Sequence, residues 1–154
     1  MKKIFVLIIS LITISGCGTV ENKAVEPGTI GVESPYNYAN CGNPGISIEM
    51  DEESLSNIGA KFIVTNNTEK TVNYGSPYSV EKYENGKWYK LKYVKGDPHW
   101  TMPLFSMYAG EYKIWSTDWE HIYGKLPNGH YRFVHLANFE NEEEFCITYE
   151  FDLK

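Results

Sequence analysis

From about residue 45 onward, apolar and polar side chains alternate along the chain. This period of two is typical of strands with one buried face. Ala60, Phe62 and Val64 share one face of such a run, and the last run places Cys146 on the face opposite to its apolar residues. The pattern predicts strands at 46–50, 60–65, 78–83, 88–93, 111–116, 130–137 and 143–153.

The clearest local signal is a hairpin centred on Asn85-Gly86, which lies between two alternating runs. A type I′ turn needs positive φ at both central positions, and Asn-Gly supplies it at low cost. The turn fixes a register in which Tyr83 faces Trp88 and Glu81 faces Lys90. These pairs fall on the face away from the core, so we expect an aromatic pair and a charge pair in solvent.

One segment departs from the strand pattern. In the stretch 117–124, TDWEHIYG, Thr117 and Glu120 have the spacing of a capping box, which predicts a short helical turn. About seven short strands separated by turns, with this single helical turn, predict an all-β fold, an antiparallel β-sandwich. The sequence holds no internal repeats, and residues 36–154 form the expected domain.

The blocks 66–91, 109–115 and 122–133 resemble the bacterial immunoglobulin-like domains found in surface lipoproteins of Gram-positive bacteria. The resemblance implies an immunoglobulin-like sandwich and, through LPNGHY, a tyrosine corner in which the Tyr131 hydroxyl bonds nearby backbone. The chain departs from the family in its cysteine pair and in the aromatic insert 96–108. A fold alone supplies no activity, so specificity is expected at these departures.

The N-terminus predicts location. Two lysines precede an apolar run, Ile4 to Ile14, that is shorter than the roughly 20 residues of a membrane span and suits a secretory signal. Ile14-Ser15-Gly16-Cys17 resembles the bacterial lipobox, which implies removal of residues 1–16 and acylation, including palmitate, at Cys17. An ordinary signal peptide followed by an unrelated cysteine is the alternative. We therefore expect a lipoprotein on the cell membrane, facing outside the cytoplasm.

Residues 17–35 show no apolar periodicity and predict a flexible tether starting at the lipidated Cys17. Without the leader lysines the chain has 12 Lys plus Arg against 20 Asp plus Glu, or −8, which argues against a nucleic-acid partner. Lipidation of Cys17 leaves Cys41 and Cys146. Outside the cytoplasm this even pair predicts a disulfide, with two free thiols as the alternative.

Catalytic and metal motifs are missing from the sequence. It contains no CxxC, HExxH, EF-hand, GxSxG or phosphate-binding loop. Ser79 and Lys82 match S-x-x-K only by letters, because on a strand they face opposite sides, as do His130 and His135. We expect no metal, no cofactor and no enzyme. Carboxylates that converge only in three dimensions are the weaker alternative.

Aromatic residues are abundant: 12 Tyr, 7 Phe and 4 Trp. A two-sheet core explains most of them. Trp88, Trp100 and Trp119 are expected at the surface, where an indole suits a sugar ring or a protein interface. The first functional hypothesis is a non-catalytic module that binds or scaffolds another envelope protein. The alternative is a glycan-binding module that uses these three tryptophans.

Overall fold

The structure is a computed structural model that describes residues 24–36, 41, 42, 44–101 and 103–154. The signal segment and Cys17 lie outside the described residues, so their predicted roles stay predictions. The described strands are β1 Ile30–Glu33, β2 Ile46–Ser56, β3 Gly59–Asn66, β4 Val72–Glu84, β5 Lys87–Leu91, β6 Phe105–Met107, β7 Tyr112–Asp118, β8 Gly129–Phe139 and β9 Glu144–Leu153. One helical turn, α1, spans Glu120–Tyr123. No helix in this part of the chain is long and apolar enough to cross a membrane.

Two antiparallel sheets of unequal size pack face to face, which confirms the predicted all-β sandwich. The large sheet has the order β1-β5-β4-β8-β9, with β6 also paired to β4. The small sheet has the order β2-β3-β7. Antiparallel pairing lets each strand bury one face and leave the other outside, as the alternation in the sequence requires.

Two of these strands were not expected. Residues 30–33, which the sequence placed in the tether, form β1 and pair with β5 at the edge of the large sheet. The folded part therefore begins earlier than residue 36. The second is β6, which lies inside the aromatic insert and pairs with β4 through Met107 opposite Val72. Both strands are short, and each is held by its pairing with one longer strand, β1 with β5 and β6 with β4.

The β4–β5 hairpin has the predicted register, with Tyr83 opposite Trp88 and Glu81 opposite Lys90. The turn residues Asn85 and Gly86 have φ of 52° and 84°, so both adopt the left-handed region that the turn requires.

The core between the sheets is aromatic at its centre. Phe62 of β3 stacks on Phe133 of β8, with ring centroids 4.5 Å apart, and both side chains are fully buried. Val64, Val80 and Ile147 complete this layer without exposure to solvent. The predicted apolar faces of β3, β4 and β9 thus meet where the period of two places them.

The tyrosine corner at the start of β8 is present. The Tyr131 hydroxyl donates to the carbonyl of Pro127 at 2.8 Å, and burial raises the pKa of Tyr131 to about 12. The helical turn is also present, but the predicted capping box is wrong. Because β7 runs to Asp118, Thr117 belongs to the sheet and its hydroxyl donates to the Ala60 carbonyl. The Asp118 carboxylate instead accepts from the amide of Glu120 at 3.1 Å.

Candidate functional site

The three tryptophans predicted at the surface lie in separate settings. Trp119 is fully buried, stacks on Phe151 and donates its indole N–H to the Asn57 carbonyl at 3.1 Å. The prediction that Trp119 is exposed is wrong, because the short turn at Trp119 covers one part of the core and places the indole inside it. Trp88 is also buried, with 7% of its surface exposed, whereas Trp100 is half-buried and borders a groove.

Trp88 lies on the outer face of the large sheet, as the hairpin register predicted, but its indole is not in solvent, whereas Tyr83 on the same face is 41% exposed. The Arg132 guanidinium carbon lies 4.5 Å from the centroid of the indole, and the rings of Tyr83 and His130 lie 5.1 and 5.3 Å away. The exposure predicted for Trp88 is wrong because neighbouring strands cover the indole. A sugar platform at Trp88 or Trp119 needs an exposed ring, so neither supports that hypothesis.

Beneath the Trp88 indole lies a buried ion pair between Glu81 and Arg132. Glu81 of β4 and Arg132 of β8 are almost completely buried, and the Arg132 Nε and Nη2 atoms lie 2.7 and 2.6 Å from Glu81 Oε2. The Ser34 hydroxyl donates to the other carboxylate oxygen at 2.7 Å. Arg132 Nη2 also donates to the carbonyl of Tyr36 at 2.7 Å. Because every group has a partner, the pair tolerates its burial.

The expected Glu81–Lys90 charge pair does not form, although the two residues are neighbours across the hairpin. Arg132 takes the carboxylate of Glu81, and the Lys90 ammonium lies instead 4.9 Å from the centre of the Tyr36 ring. Lys90 therefore has no carboxylate partner among the described residues.

The segment before β2 is strapped onto the outer face of the large sheet. Cys41 and Cys146, the predicted disulfide pair, are bonded, and their Cα atoms lie 4.7 Å apart. The two cysteines form a small apolar cluster with Val134 and with the partly buried Tyr36 and Leu136. We call residues 34–36 together with Cys41 the strap. Residues 37–40 lie outside the described residues.

Next to the strap lies a groove of about 150 Å³, which we call the outer groove. Strands β4 and β8 contribute Ser79, Val134 and Leu136 to its lining. Tyr36 and Lys90 line it beside the strap, and the segment after β5 adds Tyr93 and Trp100. The outer groove thus joins the cysteine strap to the aromatic insert, the two features in which the sequence departs from the family it resembles.

A second cleft, of about 190 Å³, opens between the two sheets, and we call it the edge cleft. Its aromatic lining consists of Tyr74, Tyr78, Phe105, Trp115, Phe133 and His135. The Trp115 indole N–H is buried and has no hydrogen-bond partner within the described structure. The His135 ring lies 4.5 Å from the indole, and burial lowers the pKa of His135, which keeps the imidazole neutral at pH 7.

The edge cleft adjoins an open strand edge. Strand β7 pairs with β3 on one side and has no strand partner on the other within the described part of the chain. Two of its outward side chains, Tyr112 and Ile114, are 65% and 60% exposed. Across the ladder Ile114 faces Ile63, which is 39% exposed. We call Ile63, Tyr112, Ile114 and the edge cleft together the edge surface.

The described residues hold no group of three or more His, Cys, Asp or Glu side chains arranged to bind a metal ion. His130 bonds the carboxylates of Asp152 and Glu150, at 2.9 and 3.3 Å. His135 faces the core from the other side of β8, as the odd spacing of the two histidines predicted.

A comparison with protein families matches residues 42–152 to the bacterial Ig-like domain. The chain belongs to this family. No curated protein matches the sequence. The family that the sequence analysis inferred is therefore confirmed for the Ig-like domain, while the Gram-positive surface lipoprotein context stays a prediction. Because the match begins at residue 42, the strap residues lie outside the Ig-like domain as the family defines it.

Sequence reasoning missed most of the residues that shape the two clefts. Arg132 is the single arginine of the chain and sits at an outward position of a predicted strand, which was a usable signal for an unusual role. Trp115 and His135 gave no such signal, since an alternating strand contains many aromatic residues that only pack.

We expect Arg132→Met to destabilise the Ig-like domain strongly, because it leaves the Glu81 carboxylate buried without a counterion. Removing one partner of a buried pair costs about 3–5 kcal/mol. Urea unfolding followed by tryptophan fluorescence measures the loss. The control is Lys113→Met, which removes an exposed pair with Glu111 at 3.5 Å and should cost less than about 1 kcal/mol. Equal losses in the two variants would show that the buried pair does not stabilise the domain.

Proposed function

We propose that this protein is a membrane-anchored lipoprotein outside the cytoplasm, and that its Ig-like domain binds another envelope protein without catalysing a reaction. The lipobox-like residues at Cys17 support the anchor. Membership of an Ig-like family, whose domains are typically non-catalytic, supports the absence of catalysis. The observation that carries the binding role is the edge surface.

The edge surface has the features of a strand-addition site. An unpaired, apolar strand edge promotes aggregation, and proteins normally protect it with charge, proline or a cover. Strand β7 carries one lysine, Lys113, which is paired with Glu111, and beside it Tyr112 and Ile114 expose apolar surface at this open edge. An extended segment of a partner that pairs with β7 gains main-chain hydrogen bonds, and its alternate side chains meet these two residues. The partner we propose is such an extended segment with apolar side chains at alternate positions.

The edge cleft supplies an anchor point for that segment. Its volume of about 190 Å³ is below the roughly 300–1,000 Å³ of sites for whole small molecules. It suits a single large apolar side chain, the kind of anchor that dominates binding energy at protein interfaces. The unpartnered indole N–H of Trp115 would donate a hydrogen bond to a carbonyl of the partner, which relieves the cost of a buried donor.

The proposed anchor also limits where the partner can lie. Strand β1 begins at Ile30, so 12 residues separate it from Cys17. Even fully extended, such a link spans roughly 40 Å. The domain therefore stays close to the membrane, and its partner is a protein of the same membrane surface or of the layer directly above it.

A second candidate function, glycan binding, is favoured by one observation. Of the three proposed tryptophans, Trp100 is half-buried and lines the outer groove with further aromatic and polar side chains. This groove shares one lining residue, Tyr78, with the edge cleft, and the other residues that line the two differ.

For the anchor, we expect Cys17→Ala to abolish incorporation of an alkyne-labelled palmitate and to move the protein from the membrane fraction to the soluble fraction. The matched control is Ser15→Ala, which keeps a small residue in the lipobox-like motif and should keep the label. A membrane fraction that retains the Cys17→Ala variant, without label in either protein, would favour a mode of attachment other than acylation.

For the edge surface, a photo-crosslinking amino acid at position 114 should form a discrete adduct with an envelope protein in cells. The matched control is position 49, since Glu49 lies in the same cross-strand row as Ile63 and Ile114 but on the opposite edge strand, β2. In binding assays with the partner so identified, Ile114→Lys should weaken affinity at least about tenfold. Equal crosslinking at both positions, or undiminished affinity of Ile114→Lys, would contradict the proposed surface.

A further inference from the structure

We infer that the outer groove binds a single sugar unit that carries a carboxylate. The inference deepens the glycan-binding candidate and rests on its location outside the cytoplasm. It does not use Ile63, Tyr112 or Ile114 of the edge surface, although Tyr78 lines both the outer groove and the edge cleft.

The aromatic side of the groove is held in place before any ligand arrives. The Trp100 ring packs edge-to-face on Tyr78, with centroids 5.1 Å apart. Tyr78 is itself fixed, because its hydroxyl donates to the Asp118 carbonyl at 3.0 Å and its ring packs on Phe133. A half-buried indole fixed in this way offers an apolar face to the C–H groups of a pyranose ring at a small entropic cost.

The polar groups of the groove suit a ligand rich in hydroxyl groups. The Ser79 hydroxyl and the Lys90 ammonium both line the groove, and the Lys90 ammonium lies over the Tyr36 ring. Tyr36 and Tyr93 line the groove as well. An apolar peptide side chain would leave these donors without partners, whereas sugar hydroxyls can pair with them.

The charge of the groove points to a carboxylate on that sugar. Among the described residues that line the groove, Lys90 is the single charged side chain, although the whole chain has a net charge of −6. Glu81 lies opposite Lys90 across the hairpin, but its carboxylate is bound by Arg132 and does not neutralise Lys90. A ligand carboxylate would supply the missing partner through a charge-assisted hydrogen bond, which is stronger than a neutral one.

The wall beside Lys90 is also fixed. The Tyr36 carbonyl accepts from Arg132, and its amide donates to the Ser34 hydroxyl at 3.1 Å. The nearby disulfide joins the strap to β9. A volume of about 150 Å³ is small for a drug-sized molecule and limits the bound part to one ring. The rest of an oligosaccharide would continue over the outer face of the sheet.

The test titrates ¹⁵N-labelled protein, residues 24–154, which contains both sheets and every described strand. The probes are trigalacturonic acid and its methyl ester, in which each carboxylate is replaced by an uncharged methyl ester group. The readout is the indole N–H signal of Trp100, assigned with Trp100→Phe. We expect saturable shifts with the acid and binding about tenfold weaker with the ester.

Two variants separate the contributions. Lys90→Met should remove the preference for the acid over the ester, and Trp100→Ala should weaken the binding of both probes. Lys113→Met is the matched control for loss of a surface lysine and should change neither. Cooperative urea unfolding of each variant shows that the domain still folds. A third variant within the groove lining, Ser79→Ala, removes the Ser79 hydroxyl that we propose pairs with the sugar.

Three results would overturn the inference. They are no shift of the Trp100 signal with either probe, equal affinity for acid and ester, and tighter binding of an acidic tripeptide than of the trisaccharide. The outcome is independent of the proposed protein interface, because Ile114→Lys should leave the titration unchanged. In the same way, Trp100→Ala should leave the crosslink at position 114 intact.

Discussion

The buried pair of Glu81 and Arg132 is the constraint on which the outer side of this protein depends. Two charges on the outer face of a sheet stay in water unless something covers them, and covering them is costly unless all their hydrogen-bonding groups are satisfied. The strap supplies that cover through the Ser34 hydroxyl and the Tyr36 carbonyl, and the Trp88 indole closes it from the hairpin. The disulfide then holds the strap where the ion pair needs it. Because Arg132 bonds the Glu81 carboxylate, Lys90 is not paired with Glu81 and contributes its positive charge to the outer groove.

The unequal size of the two sheets explains the second surface. Six strands on one side face three on the other, so the small sheet ends at β7 while the large sheet continues through β4 and β6. The register of the β4–β8 pair shifts at this point, between Tyr74 and Tyr78, and shifts of this kind are typical of bulges, which bend a strand. The edge cleft is the space left where the two sheets no longer cover each other. Aromatic rings from both sheets line it, because their side chains point toward the core at a place where the core is open to solvent.

Local patterns in the sequence predicted what local physics decides. The Asn85-Gly86 turn carries its own register, and the alternation in β3 and β9 places the buried face without knowledge of the partner strand. The failures were non-local. Trp88 was assigned to the correct face, yet its burial depends on Arg132, which is 44 residues away in the sequence. The partner of Glu81 is set by the β4–β8 register across 51 residues, and β1 exists only because β5 offers it an edge. The two clefts depend on these long-range registers, so the sequence indicated Trp100 but not the residues around it.

The positions of the two surfaces bear on how a domain of this size could work under the proposed function. Most of the outer groove lies on the outer face of the large sheet, and the edge surface lies at the open edge of the small one, with Tyr78 as the residue that lines both the groove and the edge cleft. The proposed lipid at Cys17 would confine the domain to a thin layer, where a second binding event would become effectively intramolecular. Two weak sites can then act together, since tethering raises the effective concentration without any new contact. A shallow groove of about 150 Å³ would bind weakly in free solution, and the same groove on an anchored domain does not need high intrinsic affinity. The anchor, the strap and the open edge thus fit one physical scheme, in which confinement at the membrane compensates for small binding sites.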